Sequence, residues 1–469
     1  MVPLLVIPCK FIRFFILFRL RVHLLGFISM CGKLNCFGLL WILGVCKFQK
    51  TIQLMAAVRR LEDPQSELLL LRNCTGVSKL YFAMRTTAPK YVKEAQVVFD
   101  NHLSKYMREL VTGDGPGFGI LQQRLVSLPI RDGGLGIYSM FDTMQYCFLA
   151  SYSQTLHLQG NILQNVSSAF TSSSISVKGP VYQQAFDHFV QYFAGVTKDM
   201  PSLFNMSRRD SVLWQCNKTK HAQDYLLAIP ADGLGQEMGP RQFCVVLSYR
   251  LGIPLFTENS VCLCCNRDMD VYGDHALHCA KEVRIKFRHD LARDTFSDIC
   301  YRAGAHTKVE ASLGFLSRDG GDSRPSDILV YNWEEGRDTC LDVTGVSPFA
   351  GGGVDTFTPG LALSKAVERK RCKYLDVCRA TGYNFGTLAF TTLGELGIEI
   401  IEFLLRLKNY TARHDANIKV RNFLFIRLGL AIQKGVGVQL VARLQQVSCK
   451  ILILLFINES FLLIVKNKC

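Results

Sequence analysis

The sequence predicts an α+β protein: a helical N-terminal region, a small zinc knuckle, then an α/β unit ordered helix, three strands, helix, strand. Three observations predict it. Between residues 306 and 344 the pattern alternates as strands do, and apolar residues recur at helical spacing on both sides. Cysteines and histidines between 262 and 279 have the spacing of a tetrahedral metal site. Between residues 68 and 150 the pattern is helical, interrupted by Pro89 and a glycine-rich turn at 128–137.

The chain has 469 residues, enough for about two to four domains, and 49% hydrophobic residues to fill their cores. Its net charge of +15 favours polyanions as partners, either nucleic acid or an anionic membrane surface. The 18 cysteines are scattered singly except near residue 264, which points to reduced thiols and an intracellular home rather than a disulfide scaffold.

Residues 1–55 read as a hydrophobic extension without domain patterning. Lys10, Arg13, Arg19, Arg21, Lys33 and Lys47 cut the apolar run into pieces shorter than the roughly 20 residues that span a bilayer. Residues 446–469 form a similar tail, so a membrane is not the expected partner, with membrane-associated ends as the rival reading. Residues 56–155 read as a helical region. Residues 156–238 read as linker or helix without further assignment, with a serine-rich linker at Ser167–Ser176. Residues 239–285 hold a helix at Arg241–Leu251 and the knuckle, residues 286–397 the α/β unit, and residues 398–445 two amphipathic helices.

In the knuckle, Cys262 and Cys265 place two thiolates on one ion, and His275 and Cys279 stand one helical turn apart. Together they make a Cys3His set for structural zinc. Cys264 and His278 are spare ligand types. Arg284, Lys286, Arg288 and His289 follow and are candidates to track phosphates.

In the α/β unit, a helix spans Arg288 to Ala303, with Ala292, Phe296, Ile299 and Ala303 on one face. A strand at His306–Ser312 carries Glu310. A hairpin follows, with Asp327 on its first strand, a turn at Asn332–Arg337 and Asp342 on its second strand. Alternation puts Asp327 with Leu329 and Tyr331, and Asp342 with Cys340 and Thr344. Two neighbouring carboxylates repel each other and suit a hard divalent cation such as Mg2+ or Mn2+. Solvated strand-end aspartates are the competing reading. The helix Leu361–Arg379 places Lys370 in its apolar stripe with Leu363, Val367, Tyr374 and Val377, and Lys373 about one turn on. Such a lysine either snorkels outward or points at the two aspartates. Tyr383–Thr391 is the last strand.

This order and these residues resemble the PD-(D/E)xK nuclease fold, and more closely the restriction-like endonuclease domain of LINE-like, non-LTR retrotransposons. Arg324-Pro325-Ser326-Asp327 stands at the family's Pro-Asp motif with Ser326 inserted. Asp342-Val343-Thr344 stands at its (Asp/Glu)-x-Lys motif without the lysine. Lys370-Arg371-Cys372-Lys373-Tyr374 matches the Lys-x-x-Lys-Tyr pattern of the retroelement branch. The Cys-Cys-His-Cys knuckle upstream, and Lys79-Leu80, Arg85-Thr86 and Leu128-Pro129 through Gly136, resemble the same proteins, the latter three in their thumb region. The resemblance covers about residues 60 to 150 and 240 to 440. It implies DNA cleavage, with Asp327 and Asp342 holding Mg2+ or Mn2+, Glu310 as a further carboxylate, the Val343 carbonyl assisting and Lys370 or Lys373 orienting the attacking water. It also implies DNA or element RNA as partners and a nuclear location. No adjacent Asp-Asp pair occurs in the chain, so polymerase activity is not expected. A nucleic-acid-binding remnant without cleavage is the alternative.

Overall fold

The computed structural model describes residues 36–113, 115–163, 180–231, 233, 235–282, 284–311, 313, 326–350, 354–414 and 423–444. Most of the predicted N-terminal extension, the Ser167–Ser176 linker, Arg324-Pro325 and the 446–469 tail lie outside the described residues. The protein is α+β, mostly helical, with one four-stranded mixed sheet.

The helical part packs long helices and short helical turns around a single core. Leu68, Leu71, Leu80, Met84, Phe99, Met107 and Leu128 are buried in it. The turn at 128–137 works as its composition suggests. Gly133 and Gly136 take positive φ of 85° and 71°, and a Cβ on Gly134 would lie 2.1 Å from the Leu128 carbonyl oxygen. Only glycine fits there.

One expected boundary is corrected. The helix Cys36–Arg59 runs through residue 55, and Phe48, Thr51 and Met55 on it are buried. The extension therefore does not stop where the charge pattern suggested, because a helix needs apolar residues on only one face. Of the stretch read as linker or helix, residues 180–218 are largely helical. Helices Pro180–Leu203 and Arg208–Lys218 bury Phe193, Met200, Leu213 and Trp214 in the same core. That core continues into the knuckle through Cys262, Leu277 and Cys279.

The α/β unit follows the predicted order. Helix Arg284–Arg302 leads to β1 (Thr307–Val309), β2 (Ile328–Glu334) and β3 (Arg337–Val346). Helix Leu361–Ala380 then crosses over to β4 (Asn384–Thr391). The sheet order is β1-β2-β3-β4, antiparallel except for the parallel β3–β4 pair that the crossover helix requires. Three details differ from the sequence reading. The first helix begins a turn earlier, at Arg284. β1 stops at Val309 because Glu310 sits at φ 48°. The hairpin turn is only Glu335-Gly336, at φ 55° and 74°, the mirror-image geometry that matches strand twist.

Alternation sorts the two sheet faces. Ile328, Val330, Leu341, Val343, Leu388 and Phe390 pack with Ala292, Phe296 and Ile299 of the first helix. Helices Ile398–His414 and Phe423–Leu444 close that side with Ile400, Leu404, Leu407, Leu428 and Ile432. Leu329 and Cys340 face the other way, against Cys378 of the crossover helix. Among the described residues, Phe423–Leu444 is the one helix long and apolar enough to cross a membrane, and 72% of that stretch is buried inside the protein.

Candidate metal centre and carboxylate site

The knuckle gathers its four predicted ligands. One ligand atom each from Cys262, Cys265, His275 and Cys279 lies within 4.8 Å of all the others. Cys262 Sγ and Cys279 Sγ are 3.7 Å apart, and Cys265 Sγ is 3.2 Å from His275 Nε2. Two Zn–S bonds of about 2.3 Å in a tetrahedron separate their sulfurs by about 3.8 Å. The cluster can thus hold a zinc ion without rearranging the chain. Asp270 sets up the second half of the site. Its Oδ1 accepts from the backbone N–H groups of Tyr272, Gly273 and Asp274, and its Oδ2 from that of His275 at 2.7 Å. Four donors at the start of helix Asp274–His278 are satisfied by one carboxylate.

The spare ligands face elsewhere. Cys264 Sγ meets Glu282 at 3.8 Å, and His278 Nδ1 meets the Asp274 carbonyl at 2.7 Å. Burial resists ionisation of Cys262, but the N–H groups of Cys264 and Cys265 aimed at its sulfur prevail and bring its pKa down to about 6. A thiolate is the form that ligates.

The carboxylate site joins residues from four elements. Asp342 on β3 is buried. Its Oδ1 accepts a hydrogen bond from Lys370 Nζ at 3.0 Å, and the same ammonium lies 2.9 Å from Oδ2. That second contact is off-axis, so Oδ2 stays without a hydrogen bond. The buried Oγ1 of Thr387, the β4 residue in register with Asp342, also lacks a partner. Asp327 stands just before β2. Its Oδ2 accepts from the Val343 N–H at 2.7 Å and lies 3.2 Å from His289 Nε2. The reading of two solvated aspartates therefore does not hold.

The two carboxyls differ electrostatically. Burial pushes Asp342 up to about 6, Lys370 opposes this, and Asp327 adds to it. Burial also acts on Asp327, but the His289 and Val343 hydrogen bonds outweigh it and hold the pKa below the usual value. Burial pulls His289 down, and Asp327 with Asp290 more than reverses this.

The other predicted residues are placed elsewhere. The Glu310 carboxylate is half-exposed and lies 2.5 Å from Arg293 Nη1, so it is engaged by that guanidinium rather than by the aspartate pair. Lys373 is exposed, its Nζ 4.8 Å from the Tyr374 ring. One turn of helix separates it from the sheet-facing Lys370. Of the phosphate-tracking candidates, Arg288 is buried and bonds Gln439 at 2.9 Å, Arg284 pairs with Glu282 at 3.1 Å, and His289 turns to Asp327. Lys286 remains exposed.

Sequence reasoning missed His289 and Thr387 as site residues. His289 was findable, since it precedes Ala292, Phe296 and Ile299 on the same helical stripe. Thr387 gave no local signal. No model of a known protein family matches the chain, and no curated protein matches it.

Proposed function

We propose that the chain is a nucleic-acid-binding protein of the LINE-like retrotransposon kind, with a nuclear site of action. In this reading the unit from Arg284 to Thr391 is a restriction-like, metal-dependent DNA endonuclease. The observation that carries it is the pairing of Lys370 with the buried Asp342, beside an Asp327 fixed by two further contacts. A lysine drawn into an apolar stripe to reach a buried carboxylate is costly as a structural device. It is well placed to offset charge on a phosphate.

Asp327 and Asp342 would hold the Mg2+ or Mn2+ ion. The residues fit such an ion, because Thr387 Oγ1 is a buried oxygen without a hydrogen bond, in register with Asp342, whose Oδ2 is touched only by the off-axis Lys370 ammonium. A divalent ion there would lower the pKa of a bound water and stabilise a departing oxygen. The chain's own groups do the remaining work. His289 and the Val343 N–H hold the Asp327 carboxylate in one orientation. Lys370 offsets charge that develops on the phosphate and orients the attacking water. The surplus of basic residues binds the DNA backbone.

Nicking of supercoiled plasmid by the full chain in Mg2+ or Mn2+ tests this. Asp327→Ala and Asp342→Ala are each expected to abolish nicking, and Lys370→Ala to slow it by about ten- to a thousandfold, with DNA binding kept throughout. A wild-type protein that binds DNA and nicks none favours the second reading, a binding module that has lost cleavage. One observation supports that second reading: Lys370 already neutralises Asp342. Nicking by Asp342→Ala at the wild-type rate would show that the site lies elsewhere.

A further inference from the structure

We infer that Arg443 is a positioning residue for the zinc site, and that metal binding at the knuckle thereby fastens helix Phe423–Leu444 and, through it, the sheet. The inference rests on the zinc assignment of the Cys3His cluster and extends it to residues more than a hundred positions away.

Three residues on one face of this helix grip the knuckle. Gln439 Nε2 donates to the Ala276 carbonyl at 2.8 Å, between ligands His275 and Cys279, and Gln439 Oε1 accepts from Arg288 at 2.9 Å. Leu440 packs against Gly273, where a Cβ would come within 2.9 Å of its Cδ2. Arg443, 1% exposed, has its Nε 2.5 Å from Glu282 Oε2 and its Nη2 3.5 Å from Cys262 Sγ. The first half of the same helix, at Leu424, Phe425 and Leu428, lies in the sheet core. Leu430, Val436 and Leu440 lie in the helical core. One helix thus joins the knuckle to both cores.

Charge explains what the arginine does. A zinc ion with three thiolates and one imidazole carries a single net negative charge. Buried Glu282 adds another. Arg284, paired with Glu282, and Arg443 supply two positive charges, so the buried cluster is neutral when zinc is bound. Arg443 is the one of the two that is fully buried, and its contacts with Glu282 and Cys262 tie the end of the helix to the ligand loop. Without the ion the four ligands lose the centre that fixes that loop, and the helix loses its hold on it.

Cobalt(II)-loaded full-length protein and hydrogen exchange test this. Arg443→Gln is expected to lower zinc affinity about 10- to 100-fold, as other supporting residues of metal ligands do. It is also expected to move the thiolate-to-cobalt absorption band to longer wavelength, because the lost N–H···S bond no longer stabilises the sulfur lone pair. Arg443→Lys should restore part of the affinity. In wild-type protein, which needs no variant to fold, removing zinc with a chelator should speed exchange of the Phe423–Leu444 amides. Wild-type affinity and an unmoved band in Arg443→Gln would overturn the inference, as would unchanged protection of that helix in zinc-free protein. Wild-type protein that takes up neither zinc nor cobalt would overturn the zinc assignment as well.

Discussion

The knuckle and the carboxylate site both gather side chains of types that can bind metal, and they are built in opposite ways. The knuckle takes all four ligands from 18 consecutive residues, Cys262–Cys279. Local backbone geometry does most of the positioning, through Asp270 and one helical turn. The carboxylate site draws on β3, β4, two helices and the residue just before β2, over nearly a hundred positions from His289 to Thr387. Nothing local holds it together; sheet register and helix packing do. A site of the first kind depends on its ion, and one of the second kind depends on the whole fold.

The largest effect expected is loss of the ion from the local site. Structural zinc contributes an apparent binding free energy of about 10–16 kcal/mol, comparable to the whole stability of a domain. Cys265→Ser should release zinc, as metal analysis will read, and remove cooperative melting of the knuckle. Full zinc content in a Cys262→Ser/Cys265→Ser double variant would break the comparison, since the ion would then be held elsewhere.

The next effect concerns the fold that the distributed site depends on. A chain starting at residue 56 lacks the buried Phe48 and Met55. Loss of such large apolar side chains costs about 2–5 kcal/mol each. Its thermal melt should lie well below that of a chain starting at residue 36. Equal melting temperatures would show that the first helix contributes little.

A third effect belongs to the carboxylate site alone. The folded Asp342 carboxyl titrates near 6 against the usual 3.8. The folded state therefore keeps a proton that the unfolded state releases within this window. Stability should fall as pH rises from about 4 to about 6, by up to about 3 kcal/mol, and this contribution stays lost above pH 6. Asp342→Asn should remove the slope, read as the difference between the two proteins' denaturant midpoints across pH. Parallel profiles would mean that the pair with Lys370 already cancels the burial penalty.

The smallest effect is at Glu310. Its ion pair with Arg293 is half-exposed, and such pairs contribute less than about 1 kcal/mol. Glu310→Ala should change neither stability nor nicking by more than that. Abolished nicking would return Glu310 to the site and sharpen the count of carboxylates.

How much was legible follows the same division. The knuckle could be read outright, because ligand spacing along the chain is spacing in space. Strands and helices of the α/β unit were legible from periodicity, and Lys370 was visible as a charge in an apolar stripe. The partners of Asp327 and Asp342 across the sheet were not, because register decides them, and register is set by packing. Helices Pro180–Leu203 and Arg208–Lys218 lay in a stretch left open between linker and helix, for a related reason. Trp214 takes a hydrogen-bond acceptor from Asp132, which lies 82 positions earlier, so no local window contains both. Arg443 and Gln439 stand out as polar residues on an apolar helix, as Lys370 does, but their partners lie far upstream and no local pattern names them.

The Phe423–Leu444 helix has a consequence for the order of biogenesis. Gln439 bonds the Ala276 carbonyl across 163 positions. A ribosome adding about 5–20 residues per second emits the second partner roughly 8–33 seconds after the first. During that interval the knuckle lacks its lid, and the apolar sheet face that Leu428 and Ile432 will cover is open to solvent. Nascent chains in this interval are the species most exposed to aggregation and to chaperone capture, and release of the finished helix is the step that ends the hazard.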